Sequence, residues 1–334
     1  MAGFAPVTAI ASAPHPLHTR AMAICVFDIF PDGTTKPADD TALTGAGTYR
    51  WWHFDLNDPA LSEWLPEHLP AIPAVALIQP ETRPRCDAYE NGLMLNLRGI
   101  NLNAGQPADQ MVSVRMWVDD DVVITVRMRK VFALEDIRHG IESGIAPETS
   151  AAFIEALVSR LTERVQEEVM EIARLAEFYE ADLEDDTTPP PNDLPATRRR
   201  VIRLRRYLEP QRAALNKLAA VDLPLMPEPD ALRLRELANR TTLAVEELDA
   251  LRDRLLTVQD DHDLFVARTQ ARHGYRLSVA AGVFLPLGFL TGLFGVNIGG
   301  MPGLDHPMAF AWLCLSMVAL AVVMLLVLKL SRWL

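Results

Sequence analysis

The chain is poor in cysteine: Cys25, Cys86 and Cys314 are the three it has in 334 residues, and no two form a Cys-x-x-Cys pair. That excludes a disulfide framework and a thiolate zinc site, and it points to buried or lipid-facing thiols in a reducing compartment. Basic charge is also short. Lys and Arg number 32 against 44 Asp and Glu, a net charge of −12. A nucleic-acid partner is therefore not expected, because a basic surface is needed to replace its counterions. No positively charged stretch precedes the apolar N-terminus, which runs into Pro14-His15-Pro16, so a cleaved leader is not expected. With no Ser-His-Asp set, Walker loop or metal-hydrolase helix motif, the chain does not read as an enzyme. The most informative deficit is local. No charged residue stands between Leu277 and Leu304, and none between Pro307 and Leu328.

Leu277 to Val296 and Met308 to Leu328 are each long enough, as helix, to cross the roughly 30 Å hydrocarbon layer of a bilayer. The link between them is too short to be a domain, so they form a hairpin with both ends on one side. Arg268, Arg272 and Arg276 precede the first span, Lys329 and Arg332 follow the second, and the link has neither Lys nor Arg. The positive-inside rule puts both termini in the cytoplasm and the link outside, with Trp312 and Trp333 as interfacial anchors. Two helices cannot enclose a water-filled path, so any transport function requires a symmetric oligomer.

The front of the chain has other periods. Segments 21–30, 49–56, 87–99 (broken near Asn91-Gly92), 111–118 and 122–128 read as strands, and 58–68 and 132–143 as helices. Val112, Val114, Met116 and Val118 alternate as on a strand with one buried face, and Asp119-Asp120-Asp121 turns it back. From Thr149 the period becomes helical. Ile154, Val158, Leu161, Val165, Val169, Ile172, Ala176, Tyr179 and Leu183 form one stripe, ending at Glu184-Asp185-Asp186 and Pro189-Pro190-Pro191. A second helix, 196–221, opens on Arg198, Arg199, Arg200, Arg203, Arg205 and Arg206, which are placed to pair with the acidic run Glu180 to Asp186. A third starts near Asp230. Its stripe of Leu237, Thr241, Leu248, Leu251, Leu255, Val258, His262, Phe265, Thr269 and Arg276 continues into the first span at Leu277, Ala281, Leu285 and Gly288. Stalk and span are thus one helix of roughly 100 Å, able to carry cytosolic events to the membrane. The expected architecture is an α+β membrane protein. It has a cytosolic α/β domain (1–148), long helices and a stalk (149–276), and a transmembrane hairpin (277–334).

The segment Gly288 to Gly303 is too rich in glycine for a plain spanning helix, since glycine lets the backbone leave helical geometry and approach a ligand. Carbonyls at a helix C-terminus are unpaired and partly negative. A ring of them, with the amide oxygens of Asn297, can replace part of a cation's hydration shell.

The stretch Phe284-Leu285-Pro286-Leu287-Gly288-Phe289-Leu290-Thr291-Gly292-Leu293-Phe294-Gly295-Val296-Asn297, at the end of the penultimate span, resembles the CorA-type divalent metal transporter family. Its extension, Gly-Val-Asn-x-Gly-Gly-x-Pro-Gly from Gly295 to Gly303, is similar to the family's zinc-transporting branch; the magnesium branch has methionine where Val296 stands. The resemblance implies a homopentamer with a funnel-shaped cytosolic domain in the inner membrane, its first spans lining one axial pore. By the same resemblance Gly295, Val296 and Asn297 form the selectivity filter and Leu277, Ala281, Leu285 and Gly288 line the pore. It implies Zn²⁺ as cargo, moved with proton coupling, and no permanently bound cofactor. Ligand chemistry alone does not select zinc, which prefers imidazole and thiolate, whereas this pore offers oxygen ligands that also suit Mg²⁺.

Four further residues are metal candidates. His262 and His273, eleven apart, share one helix face and would line a vestibule; Asp305 and His306 lie beside the outer mouth. His15 and His18 flank Pro16 and lack further ligands. Two alternatives remain open on sequence: a magnesium channel of the same superfamily, and a membrane-anchored sensor or scaffold without flux.

Overall fold

A computed structural model describes residues 23–39, 42–183, 193–296 and 306–330. The N-terminal part is built on a seven-stranded sheet of order β2-β1-β3-β7-β6-β5-β4. Its strands are β1 (Cys25–Ile29), β2 (Thr35–Pro37), β3 (Tyr49–Asp55), β4 (Arg85–Tyr89), β5 (Gly92–Gly99), β6 (Val112–Val118) and β7 (Val122–Arg127). Every neighbouring pair is antiparallel except β3 and β7, which run parallel. The helices are α1 (Leu61–His68), α2 (Ala71–Ile78), α3 (Phe132–Glu142), α4 (Ser150–Leu183), α5 (Leu194–Ala219), α6 (Glu228–Gly295) and α7 (Ala309–Leu330).

Alternation along β3 gives the sheet two buried faces. Tyr49 and Trp51 join a core with α3, α4, α5 and the start of α6, while Trp52 and Phe54 join one with α1 and α2. The result is a three-layer α/β/α body, with the predicted face of β6 (Val112, Val114, Met116, Val118) in the larger core. The stripe on α4 from Ile154 to Tyr179 is buried throughout. The expected strand 87–99 is a hairpin, β4–β5, turning at Glu90-Asn91 with Glu90 at φ 51°. Gly92 is required there: a Cβ would lie 2.3 Å from the Trp117 ring.

Two elements were not expected. β2 is a three-residue edge strand ending in proline, too short for a periodic signal. The α2 segment, which holds Pro70 and Pro73, has no element assigned to it from sequence. Yet Pro70 caps the helix and Pro73 sits in its first turn, where no N–H is needed for an internal bond. Of the acidic run, Glu180 pairs outside α5, and three of the α5 arginines pair outside the run. Arg200 binds Glu168, Arg203 binds Asp109 and Arg205 binds Asp249, while Glu180 takes two bonds from Arg254 at 2.8 and 2.7 Å. The arginine stripe of α5 is therefore drawn by carboxylates on three other segments. Glu184, Asp185 and Asp186 lie outside the described residues, as do His15, His18, Arg332 and Trp333.

The thiols of Cys25 and Cys86 are pushed up to about 12 by burial, so neither is reactive near neutral pH. His53 is 1% exposed. Arg127 Nε donates to its Nε2 at 3.2 Å, so its proton sits on Nδ1 and is given to Thr125 Oγ1 at 2.8 Å. Burial, and then the Arg127 charge, hold its pKa down at about 3. Because the folded value lies below the unfolded one, this stabilisation is complete above about pH 6.5 and is lost as pH falls toward 3. Melting of the full chain between pH 6.5 and 5 is expected to show a loss on the order of 2 kcal/mol from this group. His53→Gln should flatten that slope; an unchanged slope would contradict the assignment.

Candidate functional site

The chain divides into two compact units, and the division falls inside α6 between Thr257 and Val258. In the second unit, α6 and α7 each carry an apolar window of spanning length, with none of either window buried. On α6 from Val279 onward the partly covered residues are Val279, Val283, Pro286, Leu287 and Leu290, one 3–4 stripe. On α7 they include Leu313, Met317, Leu320, Met324 and Leu328, again one stripe.

At 100° per residue, Leu277, Ala281, Leu285 and Gly288 fall on the arc of α6 opposite its partly covered stripe. Leu277 and Leu285 are 72% and 73% exposed. No described part of the chain covers this apolar arc. The helix glycines deepen the point. A Cβ at Gly282, Gly288, Gly292 or Gly295 would meet nothing within 4 Å. Each interior glycine costs about 1 kcal/mol relative to alanine, and packing within the chain does not require it.

The helix ends at Gly295, where the Gly-Val-Asn segment begins, and the last carbonyls of a helix have no partner within the helix itself. Pro286 removes one more internal bond, the one its nitrogen would have given the Gly282 carbonyl. Gly295 and Val296 are described and exposed; Asn297, Asp305 and the rest of that loop lie outside the described residues.

The histidines do not converge. His262 and His273 lie on one helix about 16 Å apart along its axis, too far for one ion within a chain. His262 is half-buried, with Nδ1 3.5 Å from Asp263 Oδ1 and Nε2 without a partner; His273 is exposed. His306 Nδ1 accepts the Met308 N–H at 3.2 Å. In the neutral ring that leaves the proton on Nε2, so His306 starts α7 and offers no lone pair to a metal while the bond lasts. Among the described residues, no three His, Cys, Asp or Glu side chains gather as a metal centre.

Comparison with known proteins bears on the same segment. A family model described as CorA-like Mg²⁺ transporter protein matches residues 46–330. The zinc transport protein ZntB of Pectobacterium atrosepticum is 33% identical over 314 residues, 93% of this chain and 96% of that one. The divalent cation transporter CmaX of Pseudomonas aeruginosa is 36% identical over 289 residues, 85% of this chain and 87% of that one. The solved structure of full-length CmaX superposes with a TM-score of 0.82 at 32% identity, covering 94% of this chain and 99% of that one.

Proposed function

The chain belongs to the CorA-like Mg²⁺ transporter family, whose members are transporters and not enzymes, and on that premise we propose that it carries Zn²⁺ across the inner membrane through a pore on the axis of a homopentamer. The observation that supports this most is the exposed apolar arc Leu277-Ala281-Leu285-Gly288, set opposite the partly covered stripe on α6. Five copies turned inward would bury that arc around an axis, and the open glycines would let neighbouring backbones approach. At the end of each arc, unpaired carbonyls near Gly295 and the Asn297 amide would form a ring that holds a largely hydrated cation. Leu285 would form a dry constriction beneath it. In this reading residues 1–276 face the cytosol, both termini are cytoplasmic, and the −12 charge of each chain raises the local cation concentration.

Zinc is favoured over magnesium by the Gly-Val-Asn loop and by the relatives named for zinc transport. The decisive experiment is flux into liposomes carrying the purified full chain, with Zn²⁺, Mg²⁺, Co²⁺ and Ni²⁺, each with and without a pH gradient. Saturable Zn²⁺ entry that Mg²⁺ competes with weakly, and that responds to the gradient, is the expected result. Mg²⁺ entry that Zn²⁺ only blocks would make the chain a magnesium channel. Flux no greater than in protein-free liposomes would leave an anchored sensor.

A further inference from the structure

A cavity of about 620 Å³ opens in the N-terminal unit, far along the chain from the spans. That volume lies in the range of small-molecule sites. Its wall brings together Thr82 from the segment after α2, Arg98 near the end of β5, Asp109 ahead of β6, and Arg203, Arg206 and Tyr207 of α5. Cations outnumber anions among these side chains.

Arg98 is pre-positioned. Its Nη1 donates to the Met111 carbonyl at 3.2 Å and its Nη2 to the Thr82 carbonyl at 2.6 Å. Gln211 grips the Arg98 backbone on both sides, accepting from its N–H at 2.7 Å and donating to its carbonyl at 3.1 Å. The guanidinium lies 4.8 Å from the Tyr207 ring centre, and that of Arg206 lies 5.8 Å from the same ring. Two like charges thus lie against one aromatic ring. Arg200, Arg203 and Arg205 on the same helix are each held by a carboxylate, whereas Arg98 and Arg206 form no ion pair among the described residues. Burial pushes the Arg98 guanidinium below its ordinary pKa, as expected of a charge short of counter-charge.

Three buried polar atoms at this wall have no partner: Arg98 Nε, Asp109 Oδ1 and Thr82 Oγ1. Asp109 is 2% exposed and Thr82 8%. Arg203 occupies only the other oxygen of Asp109. Buried polar groups are rarely left unmatched, and a concentration of them at one cavity marks donors and acceptors set out for something else. The set is specific in sign. It offers donors from Arg98 and Arg206, a carboxylate oxygen that needs a donor, a hydroxyl that takes either role, and an aromatic plane.

We propose that this cavity binds a small phosphate monoester that also carries hydroxyl groups, the chemistry of a phosphorylated sugar or nucleoside. The phosphate oxygens would meet Arg98 and Arg206, two guanidiniums that line the same cavity and offer several donors. A ligand hydroxyl would donate to Asp109 Oδ1. The site stands independently of the transport reading, because none of its residues belongs to α6 or α7.

The test is equilibrium dialysis of the detergent-solubilised full chain, stripped of metal by chelator, against inorganic phosphate, ribose 5-phosphate and AMP. Saturable binding of ribose 5-phosphate or AMP at one per chain, at least about tenfold tighter than inorganic phosphate, is the expected result. Preference for AMP would assign the Tyr207 face to a base, and equal binding would assign the site to the sugar phosphate. Arg206→Ala, at an exposed position, and Thr82→Val should each weaken binding about tenfold. Arg174→Ala, an exposed arginine on α4, should not weaken it. Binding of inorganic phosphate alone, of none of the three, or of all equally well by folded Arg206→Ala and Thr82→Val would overturn the proposal.

Discussion

Asn297→Ala, in the full chain reconstituted in liposomes, is expected to lower Zn²⁺ entry at sub-saturating metal by about a hundredfold or more. In the proposed pentamer a single substitution is magnified, because every subunit would lose the same oxygen at once. A hydrogen bond from a hydrated ion to an amide oxygen is worth roughly 0.5–1.5 kcal/mol net. Five such losses, taken as additive, amount to about 2.5–7.5 kcal/mol, and each 1.4 kcal/mol is about tenfold in capture. The backbone carbonyls at the end of α6 survive the substitution, so residual flux with a raised half-saturation concentration is expected rather than none. Asn297→Asp keeps an oxygen and adds charge, so it should retain capture and slow release. Flux within about threefold of the original in the alanine variant would remove Asn297 from the filter while leaving transport itself standing.

The parts of this fold that a sequence displays are those where one partner dominates. The charge-free runs 277–304 and 307–328 are legible because a bilayer demands continuous apolarity, whatever the neighbours. The α4 stripe is legible because its whole length packs on one side, so burial from Ile154 to Tyr179 follows the helical period. Elsewhere the determinants are distant. The parallel pairing of β3 with β7 joins Arg50 to Val122 across the chain, and nothing local announces it. The arginines of α5 read as one basic face, yet the fold distributes Arg200, Arg203 and Arg205 to carboxylates on three segments. The cavity at Arg98 was invisible for the same reason: Thr82, Asp109 and Tyr207 meet only after the sheet and α5 have assembled. In the membrane unit the helix face holding Leu277, Ala281, Leu285 and Gly288 was readable from spacing, whereas the capping role of His306 was not.

Asp28→Ala is expected to cost the N-terminal unit about 3–5 kcal/mol, the largest stability effect of any single change considered. Asp28 and Arg50 face each other in register on β1 and β3 and are 9% and 8% exposed. The guanidinium donates twice, Nε to Oδ1 at 2.6 Å and Nη2 to Oδ2 at 2.9 Å, and Nη1 reaches the Ala42 carbonyl at 2.6 Å. Hydrogen bonding to Asp28 raises the Arg50 pKa against the opposing effect of burial. Arg50 therefore stays charged, and removing the carboxylate strands that charge at the strand pair instead of neutralising it. Gly45 packs directly on this carboxylate, since a Cβ there would fall 1.9 Å from Asp28 Oδ1. Gly45→Ala should thus displace Asp28 and reproduce part of the loss without touching either charge. The double replacement Asp28→Leu with Arg50→Met removes both charges while keeping apolar volume, and should recover most of the stability. Melting midpoints of the full chain, compared at one scan rate, would fall by roughly 10 °C in Asp28→Ala. A double variant no more stable than Asp28→Ala would show that strand packing, rather than the stranded arginine, sets the cost.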